Sequence, residues 1–557
     1  MDLAVGGILG DGPFVEVGQP TGVYRARDGA TVAVAGTFGI SQWNGRATGG
    51  GQRLGYRVAV YEAGSLRRVG LLDRARYPVN DVAFHPQRPL VAVATGAYDG
   101  GFFYEGELLL WDLATGAAVS LLDEEREVAR VRFSEDGRAL HVALRPPTDE
   151  GEGDDAPVSL DTTIAGGDWP VTGDASVRVA DLPAPVARVG TRAEGGPAQG
   201  PGAVAAALAA LAARAGLRHE PRGRLWDLAW PGDDRLLAAG AGTALECWAA
   251  DGSRPWRLPA DGAGTQVLVA PDAASAYVGI DGGWRHRPTP DAAGPGRVTR
   301  VERIDLATRR RAVVTELASP AALSLAASGH LLARDTDHLA SRGGKPTRDR
   351  VVAPGGAVSP PLDLGHYDLF NHYLRIDGAP HLYFLQGTPA RRFDRAGDAA
   401  RPHERKWVCR LAPATLAVER LFPLEWDARR AGQLWHACGA YLRDGGGEGL
   451  ALATVLFAQR SWPGFVARRA LPDGRPTWVT AVPAQVTAML PLPDAGALLC
   501  ALADGGLLAL DARDGRVRGR RALAARGAPT VALALAARGD RVAAGTIDGR
   551  ILLLDPA

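Results

Sequence analysis

The chain has 557 residues, with 63 basic against 62 acidic side chains and a formal net charge of +1. That balance gives no long-range field to steer the protein toward nucleic acid or an anionic membrane, so neither is expected as a partner. No apolar run approaches the roughly 18 residues of a membrane span, and Cys247, Cys409, Cys438 and Cys500 form no close pair, which argues against a disulfide framework or a zinc site.

In chain order, the amino terminus MDLAVGGILGDGPFVEVG carries an acidic residue at position 2 and no basic leader, so it is not read as a secretory signal and cytoplasmic residence is the expectation. Phe14-Val15-Glu16-Val17 reads as a short strand without a hairpin of its own. A first unit over Thr21–Leu72 supplies four apolar runs, GVYRA, TVAVAG, RVAVYEA and LRRVGLL. Val79–Leu122 repeats the rhythm, with Phe84-His85-Pro86 before a turn and Trp111-Asp112 at the end of the third run. A third unit starts at Val128, is interrupted by an acidic loop, and is expected to resume as SVRVADLPAPVARVG. A Gly/Pro-rich linker and an alanine-rich segment, Ala203–Ala215, then predict a helical insertion within 195–222, with Leu208 and Leu211 on one side. Such a helix either docks a partner or packs on a neighbouring unit.

Further units follow at Leu225–Leu258 and Thr265–Leu317. The period blurs over 321–424, a degenerate region with long loops that reads as two units or as one with a very long insertion. Regularity returns at Leu434–Val479, Val486–Leu523 and Pro529–Asp555. Recurrence at about 40–45 residues is the signature of radially arranged four-stranded sheets. The expectation is an all-β fold, a β-propeller of four-stranded antiparallel blades with eight to ten units, spanning 1–557 as one domain. The last unit has three evident strands, so an N-terminal strand, Phe14–Val17, is expected to complete it and close the ring, since an open array would leave raw sheet edges. Asp-Gly pairs at 28–29, 136–137, 251–252, 504–505, 514–515 and 548–549 read as tight turns.

Two segments carry a family resemblance. AAGTIDGRILLLD at Ala543–Asp555 and LLLWDLATG at Leu108–Gly116 resemble WD-repeat units, and GGLLALDARDGRVRGRRAL at Gly505–Leu523 is similar to the repeats of pyrroloquinoline-quinone-type propellers. The chain lacks a Gly-His pair opening each blade, and Trp-Asp ends a third strand only at Trp111-Asp112, so the resemblance implies a divergent member. It implies architecture and leaves function open.

Function is expected where loops are long. The connection between second and third strands is enlarged at Gly36–Gly55, Gly96–Gly106, Arg145–Asp174, Gly282–Gly296, Gly387–Arg405 and Arg460–Gly464, and in a propeller all of these emerge on one face. They carry Trp43, Tyr98, Phe102, Phe103, Tyr104, Trp169, Trp284 and Trp462, residue types that supply binding energy at protein interfaces. The alternative for each ring is to fold back and roof its own loop. The run DEGEGDD at Asp149–Asp155 either attracts a cation or a basic partner segment or stands as a solvated tip; it lacks the spacing of a calcium loop.

No nucleophile elbow, phosphate-cradling loop or His-Glu-x-x-His helix is present, and His366, His372 and His381 have no spacing that fixes them as metal ligands. No catalytic residue, metal or cofactor is therefore assigned. The expected function is that of a bacterial-type, non-catalytic scaffold or recognition subunit of a multiprotein assembly, binding protein partners through the enlarged-loop face. The alternative is a propeller hydrolase or lyase with a metal or polar site in the central channel.

Overall fold

Short runs of Val, Ile, Leu and Ala bounded by turn residues form strands, and their exposure grades across each sheet. Second strands such as Leu90–Thr95 and Ala497–Leu502 are buried along their whole length, so they read as continuous apolar runs. Fourth strands such as Val517–Ala522 are largely exposed and rich in arginine, which guards the sheet edge. The computed structural model describes residues 3–39, 55–98, 103–145, 160–171, 178–182, 198–232, 234–281, 298–319, 321–335, 346–365, 375–386, 407–424, 433–457 and 464–556. The fold is all-β, built from antiparallel sheets with a single α-helix among the described residues.

Contacts group the chain into two compact units. The smaller comprises Asp11–Thr48 and Arg53–Arg222; the larger comprises Met1–Gly10, Gly49–Gln52 and Gly223–Ala557. Three repeats make up the smaller unit. The first is Gln19–Arg25, Thr31–Thr37, Tyr56–Glu62 and Arg68–Ala75; the second is Val79–Phe84, Leu90–Thr95, Leu108–Asp112 and Ala118–Ser120. The third is Val128–Phe133, Ala139–Leu144 and Leu160–Ala165. Leu140 faces Ile164 in its ladder, a strand not foreseen from sequence; of the expected continuation, residues 178–182 lie among those described, and Val179–Asp181 form a 3-10 turn there. The predicted helix forms at Pro201–Arg214, with proline in its first turn. Val204, Leu208 and Leu211 pack with Val23, Val32 and Tyr61 of the first repeat, so of the two uses foreseen for it the helix serves packing.

The larger unit holds seven repeats. The fourth and fifth share a six-stranded sheet, Leu225–Ala229, Leu236–Trp248, Trp256–Val269, Ser275–Asp281, Thr299–Asp305 and Arg311–Leu317. The degenerate region resolves into two three-stranded sheets, Ala321–Leu325 with Leu331–Asp335 and Arg350–Val352, then Leu382–Gln386 with Trp407–Ala412 and Ala417–Pro423. The eighth repeat is Gln433–Asp444, Gly447–Phe457, Gly464–Ala470 and Pro476–Val482; the ninth is Val486–Leu492, Ala497–Leu502, Gly506–Asp511 and Val517–Ala522. The tenth joins Ala532–Arg538, Arg541–Thr546 and Ile551–Pro556 to Leu3–Leu9.

An N-terminal strand thus completes the last sheet as expected, but it is Leu3–Leu9. Phe14 takes φ 70° and Val15–Val17 form a buried 3-10 turn in the smaller unit. All six Asp-Gly pairs put glycine at positive φ, from 69° at Gly29 to 85° at Gly549, and in most the aspartate caps the turn, as where Asp28 Oδ1 accepts from Ala30 N–H at 2.9 Å.

Apolar clusters join successive repeats. In the smaller unit Val58 and Leu72 pack with Val91 and Trp111, and Ala92 and Leu110 with Val131 and Val142. In the larger unit Leu245 and Trp256 pack with Val278 and Ile304, and Tyr277 with Leu323 and Leu331. Leu332 then meets Phe384 and Cys409, and Tyr383 meets Leu450 and Leu452. Val466 and Trp478 meet Leu498 and Leu508; Leu499 and Leu507 meet Ala544 and Leu552. Finally Ala543 and Ile551 of the tenth repeat pack on Leu225 and Ala238 of the fourth.

The first strands are also joined by side chains. Their register slips by one residue between Val79 and Asp81, between Leu225 and Asp227, and between Gly264 and Gln266. Such bulges re-aim a side chain. Asp81 accepts from Val82 N–H at 2.9 Å and from Val131 N–H, on the next sheet, at 3.1 Å. Asp227 does the same with Leu228 at 3.0 Å and Val267 at 2.7 Å, and Gln266 Oε1 accepts from Leu323 N–H at 2.9 Å. Removing the Asp81 carboxylate takes an acceptor oxygen from two buried amides. Asp81→Ala should lower the stability of the smaller unit by about 3 kcal/mol in urea unfolding, and Asp81→Asn, which keeps an acceptor oxygen, by about half of that. An Asp81→Ala variant as stable as the parent would show that the inter-sheet bond contributes nothing.

Candidate interaction surface

In the enlarged loop Gly96–Gly106 of the second repeat, residues 96–98 and 103–106 lie among those described. Ala97–Tyr98 and Tyr104–Glu105 pair as a two-stranded ribbon, with Ala97 opposite Glu105 and Tyr98 opposite Tyr104. The Tyr98 and Tyr104 rings lie 5.0 Å apart with planes tilted by 43°, within the range of favourable aromatic pairs. Tyr98 and Phe103 are each 42% exposed, against the usual tendency of large apolar groups to find cover.

The ribbon is held from below. The connection to the third repeat, Asp123–Glu127, runs under it, with Arg126 N–H donating to Gly106 O at 3.0 Å and Glu127 N–H to Tyr104 O at 3.1 Å. Thr95 N–H donates to Glu107 O at 3.0 Å, and its Oγ1 donates to the same carbonyl at 2.9 Å. Two glycines make room for this approach. A Cβ on Gly96, whose φ is +157°, would lie 2.7 Å from the Glu127 Cα; one on Gly106 would lie 2.2 Å from the Thr95 carbonyl oxygen and 2.8 Å from the Glu127 Cα.

Around this base the charge is predominantly negative. Glu105, Glu107, Asp123, Glu124, Glu125 and Glu127 are accompanied by Arg76, Arg126 and Arg145. Arg76 bridges Glu107 at 3.2 Å and Glu125 at 2.6 Å, and Arg126 pairs with Glu124 at 2.7 Å. The Tyr77 hydroxyl donates to Glu125 at 2.9 Å, and burial together with that carboxylate pushes its ionisation upward. Burial also raises the Glu127 carboxyl above the usual carboxylate range, opposed by Arg145 and by the Asn80 amide, which donates to it at 3.3 Å. Asp123, Glu124 and Glu125 are exposed. Chemically the patch offers π-faces and carboxylates on a braced backbone.

The other expected residues fare differently. Trp169 is 3% exposed; its ring meets Phe133 edge-on at 5.6 Å and its indole N–H donates to Gly137 O at 2.6 Å. It takes the alternative course, covering the cleft between the second and third repeats, and supplies no surface. Trp43, Phe102, Trp284 and Trp462 lie outside the described residues, as do the acidic run Asp149–Asp155, His366 and His372. His381 packs edge-on against Tyr383, centroids 6.3 Å apart.

Residues not singled out from sequence also converge. In the larger unit the Arg375 guanidinium donates to Asp227, to Asp377 and, at 3.3 Å, to Val267 O, while Asp377 Oδ1 accepts from Leu325 N–H at 2.9 Å. This short segment ties together the first strands of the fourth, fifth and sixth repeats. One signal was available: Asn80-Asp81-Val82-Ala83-Phe84 and Trp226-Asp227-Leu228-Ala229-Trp230 place aspartate at the same point of the strand. Among the described residues no group of three or more His, Cys, Asp or Glu is placed to hold a metal ion, and no helix is long and apolar enough to cross a membrane.

No protein-family model and no curated protein matches the chain.

The glycine requirement is testable. Gly106→Ala drives a methyl group into backbone on two sides, and should cost roughly 1–3 kcal/mol and speed hydrogen exchange at Arg126 and Glu127. Gly64→Ala, at a glycine whose Cβ meets nothing within 4 Å, should leave exchange at those amides unchanged. Equal exchange in the two variants would mean that the ribbon is not braced by this strap.

Proposed function

We propose that the protein is a WD-repeat-like β-propeller protein acting as a non-catalytic protein-interaction module, and that its partner binds through enlarged loops, the Gly96–Gly106 loop of the smaller unit among them. The propeller itself is assigned to the seven repeats of the larger unit. What supports this is the closed succession of apolar clusters, which returns from the tenth repeat to the fourth, together with the pairing of Leu3–Leu9 on Ile551–Pro556. A ring of sheets packed face to face leaves no exposed terminal face, and the shared N- and C-terminal sheet removes the free end of the chain. The three repeats of the smaller unit form a short stack of the same construction, its first sheet covered by the helix Pro201–Arg214.

The single observation that carries the functional reading is the braced aromatic ribbon. Exposed aromatic side chains on an ordered backbone lose little conformational entropy when they bind, and they dominate interface energetics. A solvated loop tip with no role needs neither two glycines nor a strap.

The test is affinity capture from the native cell, comparing the parent with a variant in which 97–105 is replaced by a short Gly-Ser turn. The expected result is a stoichiometric protein partner that is retained by the parent and lost by the folded variant. Capture of the same proteins by both, or a small molecule or metal copurifying with no protein, would overturn the reading.

A further inference from the structure

The smaller unit carries a titratable contact between two of its repeats. We infer that His85 is an acid-sensitive latch: its neutral imidazole fastens the first turn of the second repeat to that of the third, and protonation releases the two turns from each other.

The hydrogen bonds fix the tautomer. His85 is 8% exposed and sits in the turn between Val79–Phe84 and Leu90–Thr95. Its Nδ1 lies 3.1 Å from the Gln87 amide nitrogen and 3.0 Å from that of Arg88. Both amides can only donate, so Nδ1 is the bare, accepting nitrogen. Nε2 therefore carries the proton. It donates at 3.1 Å to Gly137 O, in the turn between Val128–Phe133 and Ala139–Leu144. The same carbonyl accepts from the Trp169 indole, and the Arg88 guanidinium donates to Asp168 O, so both turns and the 166–169 segment are tied together at one place. Phe133 meets the imidazole edge-on, centroids 5.0 Å apart. The fit is close, for a Cβ on Gly137 would fall 2.4 Å from the ring.

A second proton disrupts this arrangement. It can enter only at Nδ1, where it points at two N–H groups and takes the acceptor nitrogen from both. The new charge also lacks a counter-charge. On its own turn the ring has Arg88, another cation. The neighbouring third strand ends in Asp112, which accepts from the Ala114 amide at 2.8 Å. The third repeat brings Glu135, paired with Arg27 at 3.4 Å, and Asp136, which accepts from the Ser134 hydroxyl at 2.6 Å and the Arg138 amide at 3.0 Å, together with Arg138 itself and Asp168. Among the described residues no carboxylate bonds to the imidazole. Burial holds His85 below the usual histidine range, with the Gly137 carbonyl opposing the shift and Arg88 reinforcing it.

The folded protein thus binds this proton less readily than the unfolded chain does. The latch is complete above the ordinary histidine pKa of about 6.5 and weakens as the pH falls below it. Once released, the turns uncover the buried rings of Phe133 and Trp169.

The experiment follows amide hydrogen exchange in the full chain from about pH 7.5 down to about pH 5, as protection factors corrected for the intrinsic pH dependence of exchange. Gln87 and Arg88 should lose about tenfold in protection across that range. His85→Asn, whose Oδ1 can accept from the same two amides without titrating, should show no such loss. His219→Gln removes the other histidine of the smaller unit that burial holds low, and should leave the loss in place. Arg88 is exposed, and Arg88→Met, which removes the opposing cation, should move the loss to higher pH; this variant decides the matter if His85→Asn does not fold. Equal protection at both ends of the range in the parent, an unchanged loss in His85→Asn, or a midpoint in Arg88→Met no higher than the parent's would overturn the inference. A loss that disappears in His219→Gln would assign the effect to that residue and overturn it as well.

Discussion

Everything in the larger unit depends on seven residues at the start of the chain. Leu3–Leu9 pairs antiparallel with Ile551–Pro556, from Leu3 opposite Pro556 to Leu9 opposite Ile551. The completed sheet then feeds two apolar clusters, Leu3 with Leu552 and Leu554 toward the ninth repeat, and Leu9 with Ile551 toward the fourth. Without this strand the last sheet would have three strands and an open edge, and both flanking clusters would lose a buried leucine. The ladder slips between Val5 and Gly7, and a Cβ on Gly6 would fall 1.8 Å from the Asp555 carboxylate, so the bulge admits only glycine unless that side chain moves. Closing a loop of several hundred residues costs entropy that grows only slowly with length, and a short strand anchored by a buried leucine at each end is enough to hold it.

A second constraint works at the first strands of the repeats. Stacked sheets held by apolar contact alone are free to slide, since dispersion and hydrophobic burial are not directional. The bulged first strands supply direction. Asp81, Asp227 and Gln266 each reach from one repeat to the backbone of the next, and Arg375 with Asp377 adds a bridge across three first strands. Fixing the first strands fixes the connections that leave each sheet. In the second repeat the outcome is a loop whose aromatic rings stand on braced backbone, so the scaffold chemistry and the candidate site are one continuous argument.

Much of this was legible in the residues. Val79–Leu122 showed its four strands and its turns, and the Asp-Gly pairs located the reversals because aspartate caps them and glycine accepts positive φ. The helix at Pro201–Arg214 followed from alanine and leucine content. The closing strand was misplaced for a physical reason: Leu3–Leu9 contains two glycines, which weaken strand propensity, whereas Val15-Glu16-Val17 has strand composition but is turned by the positive φ of Phe14. The third repeat's strand Leu160–Ala165 was hidden behind the acidic run that precedes it. At the surface, composition identified Tyr98, Phe103 and Tyr104 as loop aromatics but carried no information on direction, so Trp169 looked equivalent although its indole is buried against Phe133. The strap under the ribbon depends on hydrogen bonds from Arg126 to Gly106 and from Glu127 to Tyr104, far apart in sequence, and has no local signature beyond Gly96 and Gly106.

The central claim is that Leu3–Leu9 completes the last sheet of the larger unit, and an electron cryo-microscopy map of the full chain tests it most directly. The account predicts density for Leu3–Leu9 alongside Ile551–Pro556, with the tenth repeat packed on the fourth through Ile551 and Leu225. A map in which Leu3–Leu9 pairs elsewhere, or in which the fourth and tenth repeats do not touch, would contradict it.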